Sequence, residues 1–207
     1  MNLKSGLFQS EKNQGRIHYE DEKATSFLTN MILEHLPKLF YKPIVIICIG
    51  TDRSTGDCLG PLIGTSTKKE VSHFHVYGTL KDPVHAVNLE ETIQFIRDTH
   101  RNPFIIAIDA CLGRFKSVGF MEVAKGSIKP GAGVNKELPE VGDMHITGIV
   151  NISGYMEFLV LQNTRLHLVM SMADIISTGI IEAEKIYLEK RISVRRNWLA
   201  NQDTAIN

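Results

Sequence analysis

The feature that most constrains the fold is the run Ile44-Val45-Ile46-Ile47-Cys48-Ile49, which stops at Gly50. It carries no polar residue and is mostly β-branched. Such a run has no face to show to water, so it suits a central strand covered on both sides. Gly50–Gly56 then reads as a loop and Leu59–Glu70 as a helix, with Pro61 in its first turn, where a missing N–H does no harm.

Either side of this unit the pattern alternates between helix and strand. Phe27, Leu28, Met31, Ile32, Leu36 and Leu39 recur at three- and four-residue spacings within Tyr19–Phe40, which predicts an amphipathic helix. Phe74–Leu80 predicts a strand. Asn88 with Glu91 resembles a capping box that opens a helix through Leu89, Ile93 and Ile96. Pro103–Ile108 predicts a buried strand ending at Asp109, and Val118–Ala124 a further one. Ile149–Ile152 leads into a helix near Tyr155–Gln162. Leu166–Met170 reads as a last strand, with Ser171 and Asp174 opening a final helix to about Arg196. The alternation predicts an α/β fold: a three-layer α/β/α sandwich on a mostly parallel sheet. At 207 residues one domain spanning 1–207 is expected, with a loose polar arm over about 1–18 and a polar tail over about 200–207.

Composition narrows the partners. Lys and Arg together number 23, as do Asp and Glu, so the formal net charge is zero. Nucleic acid and anionic membrane, which recruit a basic excess, are not expected. The cluster Lys190, Arg191, Arg195 and Arg196 is expected to be a solvated helix end. No uninterrupted stretch of about 18 apolar residues occurs, so no membrane span is expected. Three cysteines without a C-x-x-C do not make a disulfide framework and point to a reducing, cytoplasmic setting.

In a parallel α/β sheet, sites form at the carboxyl edge of the strands. Asp57 and Asp109 both fall there. The glycines at 50, 56, 60 and 64 match neither nucleotide fingerprint, and Asp57 stands where a phosphate loop needs lysine. Two acids in unlike settings can divide the work of hydrolysis: Asp57, near a helix N-terminus, as the ionised base, and Asp109, behind a buried strand, as the proton donor. The same two with a histidine, His145 first and His85 second, leave a divalent metal open as a cofactor. Helix capping and backbone bonding explain the two acids about as well from spacing alone. Ser54 and Thr55 offer hydroxyls to a substrate, and local loop bonding explains them equally. Cys58 and Cys111, beside the acids, read as small apolar packers.

Three stretches, in order, resemble the bacterial germination protease and its smaller sporulation relatives. These are Gly50…Thr55-Gly56-Asp57-Cys58-Leu59-Gly60-Pro61, Ile105-Ile106-Ala107-Ile108-Asp109-Ala110, and Gly126-Ser127-Ile128-Lys129-Pro130-Gly131-Ala132-Gly133-Val134-Asn135-Lys136. A fainter resemblance extends to hydrogenase-maturation endopeptidases, which bind nickel through acids and a histidine. The resemblance implies a phosphorylase/hydrolase-like sandwich and peptide-bond hydrolysis with Asp57 and Asp109 as the catalytic acids. It also implies a protein or peptide substrate such as small acid-soluble spore proteins, in the cytoplasm of a sporulating cell or spore. Gly131, Gly133 and Asn135 fall in the third stretch and are expected to line the substrate groove. The chain departs from the pattern at Gly56, where the family has proline, and it is much shorter than the germination protease, so that enzyme's tetramer and pro-segment do not transfer; a homo-oligomer of some kind stays open. A non-catalytic protein that binds a peptide in the same groove, and a metal-dependent endopeptidase, are the alternatives.

Overall fold

The structure is a computed structural model and describes residues 15–38, 40–130 and 138–203, with side chains described through Arg196. In chain order the elements are β1 (Arg16–His18), α1 (Ala24–His35), β2 (Ile44–Cys48), α2 (Leu59–Glu70), β3 (His75–Tyr77), α3 (Leu89–Thr99), β4 (Phe104–Gly113), a 3-10 turn (Phe115–Ser117), β5 (Phe120–Lys125), β6 (Met144–Ile152), α4 (Glu157–Gln162) and α5 (Leu166–Asp203).

The strands form a six-stranded sheet in the order β1-β5-β6-β4-β2-β3. The β3–β2, β2–β4 and β4–β6 pairs are parallel. β5 and β1 are antiparallel additions at one edge, so the sheet is mixed. β2 lies between β4 and β3, and all five of its residues are buried. Its pleat explains the unbroken apolar run. Ile44, Ile46 and Cys48 point into one core with α1, α2 and α5. Val45, Ile47 and the following Ile49 point into the other, with α3. A residue on either face would meet hydrocarbon, so neither face tolerates a polar side chain. The expected α/β sandwich is the fold.

Five local expectations change. Arg16–His18 form an edge strand rather than part of a loose arm. Ile17 packs on the core, and Arg16 meets Glu122 of the partner strand at 3.3 Å. β4 does not end at Asp109 but runs on to Gly113 beside β6. Leu166–Met170 is the first turn of α5, not a strand. Val169, Met172, Ala173, Ile176, Ile180 and Ala183 are buried at helical spacing, while Leu166 and Met170 face outward. Asn88 takes the N-cap position of α3 without capping it: its Oδ1 instead accepts the His85 N–H at 2.8 Å, and its Nδ2 donates to the Pro83 carbonyl at 3.0 Å. The tail expected to begin at residue 200 is helical to Asp203.

α5 is long and apolar enough to cross a membrane by length and composition alone. Its apolar stripe is spent on the core, and a buried carboxylate ties it to the sheet. Glu184, 3% exposed, accepts the backbone N–H groups of Ser72, His73 and Phe74 at 2.7–3.2 Å, fixing the turn between α2 and β3.

At Gly64 the backbone of α2 comes close to Gly78, just after β3, and to β2. A Cβ on Gly64 would collide with the Gly78 carbonyl oxygen, and Gly64 sits over the side chain of Cys48. Gly64→Ala must therefore push α2 off the sheet. A loss of about 1–3 kcal/mol or more is expected, read as a lower urea midpoint with an unchanged slope.

Candidate active site

β2 ends at Cys48, level with Ile108 of β4. β4 continues, so Asp109 is its first residue beyond the end of its neighbour. It stays paired on the other side, opposite Thr147 of β6, and is buried at 8% exposure. The step between the two strands opens a cavity of about 460 Å³.

The loop after β2 forms one side of this cavity. Ile49 bonds both ways, its N–H to the Ile108 carbonyl at 2.7 Å, while the Gly50 N–H donates to Val84 at 2.8 Å. Gly50 has φ 140°, and a Cβ there would meet the Asp57 carbonyl oxygen. Only glycine lets the loop fold back so that the Thr51 N–H reaches the Asp57 carbonyl at 3.2 Å. That closure places Asp57 in the wall of the cavity, one residue before Cys58, the N-cap of α2.

Asp57 and Asp109, separated in sequence by α2, β3 and α3, thus line one cavity. Ser54 lines it too. It is 7% exposed, and its Oγ has no hydrogen-bond partner among the described residues. Thr55 is not in the wall; its carbonyl accepts the Cys58 thiol at 2.9 Å. Pro130 and Leu138 also line the cavity. Gly131, Gly133 and Asn135 lie outside the described residues.

The histidine at the site is His85, not His145. His145 pairs with Ala107, two residues short of Asp109, and its Nδ1 bonds the Gly126 carbonyl at 2.9 Å. His85 lines the cavity close enough to act on the charge of Asp57. Its backbone N–H is held by Asn88, and its Nδ1 accepts the Val87 N–H at 3.3 Å. Its rank in the sequence was low because nothing local ties residue 85 to residue 57; the Gly50–Val84 bond does so in space. Among the described residues, no three His, Cys, Asp or Glu side chains come together in a way that could hold a metal ion. The set Asp57, Asp109 and His145 is therefore not a fit for the nickel or other divalent ion that the fainter resemblance implies, and no step is derived through one.

Two further walls escaped the sequence. Val87 and Ala86 come from the loop before α3, and Phe158, Leu161 and Gln162 from α4. α4 is tied to the acid loop by the Gly56 N–H, which donates to the Leu161 carbonyl at 2.8 Å.

Burial pushes the Asp57 carboxyl above its ordinary range; the Thr51 backbone and the charge of His85 pull the other way but do not cancel it. The helix terminus expected to favour the ionised Asp57 is thus opposed by the loss of water around the carboxyl. Burial also pushes the Cys111 thiol up, to about 11, with the Asp109 charge adding to it, so Cys111 is a poor nucleophile.

Residues 16–179 match the family described as "Protein of unknown function (DUF1256)". The chain belongs to that family. It is similar to "Uncharacterized protein YyaC" of Bacillus subtilis (strain 168), at 56% identity over 182 residues, which cover 87% of this chain and 89% of that one. Among solved structures it is similar to the NiFe hydrogenase maturation protease HycI from Thermococcus kodakarensis KOD1. There the TM-score is 0.46 at 17% identity, over 70% of this chain and 95% of that one. At that score the likeness carries no weight for activity or site. The family match contains both acids, His85 and α4.

A raised carboxyl pKa has a consequence for stability. The protonated form is the one the fold favours. Its contribution is complete below the unfolded value near 3.8 and is lost as pH rises through the folded value. At pH 7 an ionised Asp57 burdens the fold. Asp57→Asn removes the charge and keeps an acceptor. Its melting temperature is expected to exceed the parental one at pH 7, with the gap closing as pH falls through the folded value and gone below about 3.8. A scan of melting temperature against pH for both proteins checks this.

Proposed function

We propose that the protein is a peptidase-like hydrolase in which Asp57 and Asp109 are the acid pair. The observation that carries this reading is the joint presence of the two carboxyls in one cavity, at the step where β4 outruns β2. The resemblance of three stretches to the germination protease supports it, since two of them carry the acids.

The chemistry needs only these groups and water. A water attacks the scissile carbonyl carbon and gives its proton to one carboxylate. The other carboxyl, protonated, delivers its proton to the leaving nitrogen as the C–N bond breaks. The raised pKa of Asp57 favours it as the proton donor and leaves Asp109 as the base. This reverses the division expected from helix placement. Solvent exchange then restores both groups.

The finer reading is that the substrates are small acid-soluble spore proteins in the cytoplasm of a sporulating cell. The balanced formal charge, 23 against 23, accords with a protein substrate and with neither nucleic acid nor an anionic membrane. The test is incubation of the purified protein with those spore proteins, with products followed by mass spectrometry. Asp57→Asn and Asp109→Asn are each expected to lower the cleavage rate by about 10²-fold or more. Two variants that cleave at the parental rate overturn the acid pair. A stoichiometric complex without cleaved product overturns hydrolysis and favours a binding protein.

A further inference from the structure

We infer that the cavity selects a peptide segment by an apolar side chain, seated against α4, with the Ser54 hydroxyl available to the segment's backbone. The inference rests on the peptidase-like reading for its substrate class and adds what that substrate must present.

Three observations carry it. First, the wall around the acids is apolar, supplied by Ile49, Ala110, Leu112, Leu138, Phe158 and Leu161. Val87 and Phe158 line the cavity while staying exposed. Removing such surface from water is the dominant gain available to a ligand here.

Second, the apolar wall is fixed in place. α4 hangs on the acid loop through the Gly56–Leu161 bond. It is tied to the sheet by Asn151, whose Nδ2 donates to the Val160 carbonyl and the Thr164 Oγ1, both at 3.2 Å. A wall bonded to the element that carries Asp57 keeps a seated side chain and the acid in register, so the same contact that binds also positions.

Third, the polar groups are few and suit an amide. The Ser54 Oγ is buried in this wall with no partner among the described residues. A hydroxyl can donate to a peptide carbonyl or accept from a peptide N–H. A phosphate or carboxylate ligand would face two acids, with Arg53 as the lining cation. A lysine or arginine side chain would have to shed its water among hydrocarbon, beside an Asp57 that burial drives toward neutrality.

The experiment uses the full chain and a set of fluorescently labelled alanine peptides that differ only in a central Leu, Lys or Glu. Binding is read by anisotropy and cleavage by mass spectrometry in the same samples. The Leu peptide is expected to bind at least about tenfold tighter than the other two. Phe158→Ala is expected to erase most of that preference and Phe158→Leu to keep it. Ser54→Ala is expected to weaken all three peptides alike, because it acts on the backbone. No binding, equal binding, preference for Lys or Glu, or a Leu preference untouched in Phe158→Ala overturns the inference. Leu-selective binding without any cleaved product sustains it and overturns the hydrolase reading. Cleavage without side-chain preference does the reverse.

Discussion

β2 is hydrogen-bonded along both edges and covered on both faces, and the other features of the site follow from this. A backbone so enclosed has no room for a polar side chain along its length, and chemistry is confined to the point where it stops. Cys48 is that point. Because β4 runs five residues further, to Gly113, the end of β2 becomes a step rather than an edge. Asp109 stands on the step, and the Gly50 loop must turn back over it. The tight seat of α2 on the sheet, with glycine at 64, fixes how near the loop's other end can come.

The cost of bringing two acids to such a place is desolvation. Asp57 shows it in the direction of its titration, and burial rather than any neighbouring charge is the largest cause. The fold opposes that cost only in part, with a backbone group at Thr51 and a histidine at 85. A carboxyl held in this condition weakens the protein wherever it is ionised. Glu184 is the contrasting case: a more deeply buried carboxylate that accepts three backbone N–H groups and serves only to hold α5 to the sheet.

Much of the scaffold was legible in the sequence because its signals are local. The β-branched run marked β2, the bounds of α2 were read to the residue, and the α/β alternation gave the layers. The misreadings share one cause, the need for a partner distant in the chain. Leu166–Met170 is apolar apart from His167 and has no breaker after it; only packing against the sheet shows that a helix is meant. The Asn88 side chain seemed a cap until the loop it holds was placed beside it. β4 appeared to stop at Asp109 because an acid interrupts the hydrophobic pattern, whereas β6 carries the pairing past it.

The sequence by itself determined that Asp57 and Asp109 would lie toward the carboxyl edge of the parallel strands, since that edge follows from order and periodicity. Tertiary structure alone decided which histidine joins them, that α4 walls the cavity, and that burial pushes the Asp57 carboxyl up. These depend on distances between segments far apart in the chain and on how much water is removed around a group. Neither is encoded in the spacing of residues along one strand and the next.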